Sequence, residues 1–403
     1  MGRLSEALKQ GHRFVLSGPF GTAVAEQLAR DMDERPQMAA GVSVNKHLGA
    51  GTSALLTPEG QAYLRAIALG YMNSVPSEQG LVAVTPSFRL PKQMLEAAAT
   101  VRGWDPHLPQ MGLELCLDAV EVVSKALSAS SRSIENTLLA MSVGPPFDCY
   151  TGGATPHDVT GKYLPQVLAA VRFCRLLDYL MFETVPSLKA AEGAAQAFTI
   201  AHEVFDIAES TATAKNMGTV VYINDLLTKA RYFGSDGHHT LAPSYDPNEG
   251  RFVAIRQEKG YIISFCLDEN GMVVEGPVGR GKSLNRVSLD NAITRLYETV
   301  DQERLLEPAG IGINCNSPRV TELALASLSQ ANLSRVVGIH PNASSEDDPG
   351  KYCTMTHQQA IALPDYAAVI ERLVKRFDLK IVGGCCGTNA ETMQELGKIL
   401  RAA

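Results

Sequence analysis

Several features are scarce in this chain, and each absence excludes something. Aromatic residues make up 6% of it, with one tryptophan, Trp104, which reads as a packing residue. Positive charge is not in excess: 36 Lys and Arg stand against 43 Asp and Glu, intermixed, so no electrostatic footprint for nucleic acid is present. No apolar run reaches the roughly 18 residues of a membrane-spanning helix. Met1 to Gln10 is charged and lacks the apolar core of a secretory signal, and Glu6 stands where myristoylation wants Ser or Thr. No Gly-, Ser- or Pro-rich linker splits the chain, and no repeat is visible. A soluble, cytoplasmic protein with no membrane partner is expected, and the sequence assigns no oligomeric state.

What is present is a core-forming composition, 45% hydrophobic over 403 residues. Eight cysteines, several in strand-like runs, suggest reduced thiols. Asn332 and Asn342 begin glycosylation-type triplets, which mean nothing in a cytosolic chain. Strand-like runs recur at 14–18, 81–85, 137–143, 178–183, 260–267, 309–315, 335–340 and 379–383. Helical patterns separate them, at 58–71 behind a Thr57-Pro58 start, 111–128, 187–208, 288–300 and elsewhere. Eight βα units predict a (β/α)8 TIM barrel in one domain over 1–403. A doubly wound sheet is disfavoured, because no Gly-x-Gly-x-x-Gly follows the first strand. Residues 209–259, with a strand-like run at 219–223, read as an insertion between units four and five. Residues 33–56 resist assignment.

The chemistry concentrates at Val382-Gly383-Gly384-Cys385-Cys386-Gly387-Thr388. Adjacent cysteines make a strained disulfide but good metal ligands where glycines free the backbone. Far upstream, Gly312-Ile313-Asn314-Cys315 closes another apolar run. Three thiolates from two strand ends, Cys315, Cys385 and Cys386, fit a zinc site with its fourth position open to substrate. Buried structural cysteines and a vicinal redox pair are the competing readings.

With these motifs in view, the chain resembles the zinc-dependent homocysteine S-methyltransferase family. Supporting stretches are Phe182-Glu183-Thr184-Val185-Pro186-Ser187, Ser142-Val143-Gly144-Pro145, Ser264-Phe265 and His340-Pro341-Asn342, in the family's order along nearly the whole chain. The resemblance implies a TIM barrel, zinc on Cys315, Cys385 and Cys386, and Glu183 against the amino group of homocysteine. Ser17, Gly18, Thr184 and Asn342 are the further positions taken for substrate. Ser17 departs from the Asp usual in the first strand's Asp-Gly turn, and Thr85-Pro86-Ser87-Phe88 replaces a Thr-Asn-Thr pattern. Both departures bear on which thiol is accepted.

Zinc would strip the thiol of its proton and present the thiolate to an activated methyl. Thr184 follows Glu183 where betaine-dependent relatives place Tyr, and a quaternary ammonium wants an aromatic cage. The chain ends one helix after Cys386, which reads as leaving no folate- or cobalamin-binding module. A sulfonium donor, S-methylmethionine or S-adenosylmethionine, is therefore expected. Alkyl transfer to another thiol is the alternative. Gly276 to Ser283 matches a P-loop, but the next helix signal comes only at Ser288-Leu289-Asp290, so a nucleotide hydrolase is a remote reading. His238-His239 reads as a solvated pair.

Overall fold

Eight parallel strands close on themselves in the computed structural model of the chain. It describes residues 3–34, 42–45, 47–147, 159–173, 176–210, 244–246, 251–253, 259–274, 285–345, 347 and 361–402. The strands are β1 (Phe14–Leu16), β2 (Gly80–Val84), β3 (Thr137–Val143), β4 (Tyr179–Val185), β5 (Gly260–Phe265), β6 (Gly310–Asn314), β7 (Val336–His340) and β8 (Ile381–Val382). Neighbours in the barrel are neighbours in the chain, and β1 closes the ring against β8 through Phe14↔Ile381 and Val15↔Val382. Every predicted barrel strand is found, with bounds within two residues.

Alternation along the strands makes two apolar layers. Phe14, Leu16, Val82, Val84, Leu138, Ala140, Tyr179, Met181, Ile262 and Ile381 fill the barrel interior, so it is a packed core. Leu4 joins that interior layer, fully buried. It comes from helix α1 (Arg3–Lys9), which closes the N-terminal end of the barrel. Arg3 fixes α1 by donating to Asp178 at 2.9 Å, and Asp178 also accepts the Leu139 N–H at 2.7 Å.

The outward-facing residues pack against the helices. Phe182 stands edge-on to Tyr163 at 5.3 Å and to Tyr261 at 5.9 Å. Each such pair contributes about 0.5–1.5 kcal/mol beyond burial. Because Phe182 points out, the next residue, Glu183, points into the barrel mouth.

Helix starts follow the sequence signals. Thr57 accepts the Gly60 N–H at 3.1 Å ahead of α2 (Pro58–Ser74). Ser288 accepts the Asn291 N–H at 3.2 Å ahead of α3 (Leu289–Gln302). Ser317 does the same for Val320 at 3.1 Å ahead of α4 (Pro318–Ala326). Such caps are worth about 1 kcal/mol each.

Three departures from the sequence reading have simple causes. Within 33–56, Gly49–Ser53 forms a helical turn and Ala54–Leu56 a 3-10 turn, both packed into the core despite weak local propensity. The helical pattern that the sequence also carries over 318–330 is broken in two: a helix stops at Ala326, and a separate turn, Gln330–Leu333, begins at a Ser329 cap. A hairpin, Met272–Val274 with Arg286–Ser288, sits between β5 and α3. The P-loop-like Gly276–Ser283, His238-His239 and the run 219–223 lie outside the described residues. Within 209–259, the hairpin Ser244–Asp246 with Arg251–Val253 is the described β-structure. Trp104 packs against the core, as expected. Asn332 and Asn342 are buried and would not accept a glycan.

Candidate metal and substrate site

The C-terminal ends of β4, β6, β7 and β8 carry the residues singled out in the sequence. Cys315 follows β6 and Cys385 follows β8, and their Sγ atoms lie 2.8 Å apart. This is no disulfide, whose sulfurs stand about 2.05 Å apart; none of these cysteines is disulfide-bonded. Cys386 completes the group through its own interactions with Cys315 and Cys385.

The backbone that delivers these sulfurs is tightly held. Cys385 N–H donates to Pro341 O at 2.8 Å, and Cys386 N–H to Asn342 Oδ1 at 3.0 Å. Ala343 N–H donates to Cys386 O at 2.9 Å. The stretch after β7 therefore clamps the stretch after β8. The flanking glycines serve two purposes. Gly387 takes a left-handed φ of 79°, while a Cβ on Gly384 would fall onto the Thr388 side chain.

Cys315 and Thr184 both take left-handed backbone conformations, each with φ 55°. For a side chain branched at Cβ this is costly, about 1–3 kcal/mol. Asn314 compensates: its Oδ1 accepts the Thr184 N–H and its Nδ2 donates to Thr184 Oγ1, both at 2.9 Å. On the other side of Cys315, Asn316 accepts from Leu267 N–H at 3.0 Å and donates to Leu267 O at 2.8 Å. Both asparagines are fully buried. The sequence motif contained Asn314 but not its task, and Asn316 was missed. An Asn on each side of Cys315 was the available signal.

Electrostatics at the sulfurs are frustrated in the protein alone. A hydrogen bond with Cys385 pulls the Cys315 thiol down, but one with Cys386, burial and charge on Cys386 leave it up at about 11. Cys385 is pushed well above its ordinary value, by hydrogen bonds with Cys315 and Cys386 and then by burial. Three sulfurs that oppose each other's ionisation form a donor set whose balance a divalent cation would reverse. By that chemistry the residues fit zinc. The Cys315–Cys385 spacing is tighter than a metal needs, and among the described residues no group of three or more such side chains stands ready to hold one. Sulfurs sharing a tetrahedral zinc at about 2.3 Å lie about 3.8 Å apart, so those of Cys315 and Cys385, 2.8 Å apart, would have to spread by about 1 Å.

Glu183 keeps some solvent contact, yet its surroundings push its carboxyl up to about 8. Burial is the main cause; a hydrogen bond with Ser142 lowers it and charge on Cys315 raises it further. Such an acid favours a cationic partner. His340 is buried, with burial driving it down to about 4, so its ring is neutral, and its Nε2 has no hydrogen-bond partner among the described residues. Asn342, also buried, has no partner for its Nδ2 among the described residues.

The remaining predicted substrate positions divide. Ser17 is buried and its Oγ accepts the Val84 N–H at 2.9 Å, joining β1 to β2. Gly18 has no room for a side chain, since a Cβ there would lie 2.8 Å from the Tyr71 ring. Thr184 is buried, with its Oγ1 3.6 Å from Cys315 Sγ. Asn342 holds Cys386. Thus Glu183, Thr184, Asn342 and the three cysteines meet at one end of the barrel, with Ser17 bound into its β1–β2 seam and Gly18 packed against Tyr71 of α2.

The comparisons agree with this architecture. Among solved structures, the homocysteine methyltransferase MmuM from Escherichia coli in its metallated form superimposes with a TM-score of 0.55 at 19% identity, over 98% of this chain and 99% of that one. Its oxidized form gives 0.52 at 19% identity, over the same shares. At this identity the likeness speaks for the fold. No curated protein matches the sequence. A family model described as homocysteine S-methyltransferase matches residues 245–400, a span that holds all three clustered cysteines and the strands β5 to β8 that present them. Over residues 245–400 the chain is similar to the homocysteine S-methyltransferase family.

Proposed function

We propose that the protein moves a methyl group from a sulfonium donor, S-methylmethionine or S-adenosylmethionine, to the thiol of homocysteine, giving methionine. Residues 1–403 are read as one cytoplasmic homocysteine-binding domain with the insertion at about 209–259. The convergence of Cys315, Cys385 and Cys386 carries the reading. These residues would hold zinc, which when bound supplies the charge that makes a substrate thiol a thiolate at neutral pH.

The chain's own groups do the rest. Glu183 pairs with the substrate ammonium, and its raised carboxyl ionises as that cation approaches. Ser142 orients Glu183. Asn342 and the 341–343 backbone fix the Cys385-Cys386 turn. Burial of Cys315, Thr184 and Asn314 keeps water from the sulfur side. Thr184 is occupied by Asn314 and Cys315 and offers no aromatic wall for a quaternary ammonium, which favours a sulfonium donor.

The test offers each donor separately with homocysteine, alongside metal analysis. Methionine should form with a sulfonium donor and about one zinc per chain, and Cys386→Ala should lose both metal and transfer. Transfer that survives metal loss would reject the zinc reading. Turnover of homocysteine no better than of other thiols would favour the alternative acceptor that Ser17 suggests.

A further inference from the structure

The turns that end β4 and β6 meet at Cys315, and their hydrogen bonds leave one arrangement of protons. The Thr184 N–H can only donate, so the Asn314 atom facing it at 2.9 Å must be the amide oxygen. The amide NH2 of Asn314 then faces Thr184 Oγ1, also at 2.9 Å, and can only donate. The Thr184 oxygen is thereby an acceptor on that side, and its own proton turns away. Cys315 Sγ lies 3.6 Å from Oγ1 and takes that proton's hydrogen bond. All three residues are buried, so water does not compete.

We propose that Thr184, set by Asn314, is a positioning residue that donates a hydrogen bond to the Cys315 sulfur and tunes the metal centre, instead of contacting substrate. The inference rests on the zinc reading above. Three thiolates around a dication leave one negative charge, and a substrate thiolate adds another. A hydrogen bond onto one sulfur draws off part of that charge, which favours both retention of the metal and admission of a further anionic sulfur. Partners of metal ligands commonly matter by about 10–100-fold in metal affinity. The cost of holding Thr184 at φ 55° is explained if its hydroxyl is needed at this place.

Thr184→Val keeps the branched shape and the N–H and removes only the O–H; Thr184→Ser keeps the O–H. Zinc affinity is measured by competition with a chelator, and cobalt-substituted protein reports the energy of its sulfur-to-metal charge-transfer band. Thr184→Val should bind zinc about 10-fold or more weaker and shift the band to lower energy, while Thr184→Ser matches the parent in both. Should Thr184→Val not fold, Asn314→Asp is measured instead. It still accepts the Thr184 N–H but no longer donates to Oγ1, and it should shift the same band. Parental affinity and band in a folded Thr184→Val or Asn314→Asp protein would overturn the inference. A parent protein that binds neither metal overturns the zinc reading itself.

Discussion

At the scale of residues, the site is assembled from side chains that hold other side chains. Glu183 is the one predicted to touch substrate charge, and its carboxyl is pushed up to about 8, mainly by burial. Glu183→Gln keeps the shape and removes the charge. Hydrogen-bonded ion pairs contribute about 1.5–3 kcal/mol, so KM for homocysteine should rise about 10- to 100-fold with metal content unchanged. A thiol of the same length without the amino group should be insensitive to the change. An unaltered KM would remove Glu183 from substrate binding. Much of this was legible in the sequence because ligand types and flanking glycines stand out in a short motif. Cys315 and Thr184 at positive φ were not, since neither residue type advertises a left-handed backbone. Nor was the use of the Ser17 hydroxyl as an acceptor for Val84 N–H, because that pairing depends on the register of two strands 67 residues apart.

At the scale of elements, barrel strands and helices were readable because a fully buried strand needs a short apolar run and a helix needs a cap. What escaped was structure made by tertiary contact, such as the turns at 49–56 and the pairing of Met272–Val274 with Arg286–Ser288. One long-range link is testable. Asp290, at the start of α3, accepts from Ser329 N–H and Oγ at 2.8 Å and from Asn332 Nδ2 at 2.9 Å, tying α3 to the turn before β7. The Ser329 backbone hydrogen bond, with help from the Asn332 and Ser329 side chains, holds its carboxyl below the ordinary range. A lowered folded pKa means the contribution is complete above the ordinary Asp value of about 3.9 and is lost as pH falls through the lower folded value. Asp290→Asn should cost about 1 kcal/mol at neutral pH, given the site's partial exposure. Urea midpoints should differ at pH 6 and converge toward pH 2–3. A gap that stays constant into acid would contradict the assignment.

At the scale of the whole molecule, one end of the barrel is shut and the other carries the chemistry. Leu4 and the Arg3–Asp178 pair close the N-terminal end, and every candidate ligand lies at the opposite rim. The last strand, β8, is only two residues long, and two register pairs join it to β1. Its sulfurs meet that of Cys315, which extends β6, two places around the ring. An ion gripped by those three sulfurs would act on the barrel as a hoop acts on staves, fastening its shortest member across the gap. Chelation should therefore speed deuterium uptake at the amides of 14–16 and 381–383 more than at those of β3 and β4. The catalytic ion would then also be the fastener of the wall it sits in, and uniform uptake along all eight staves would show that it is not.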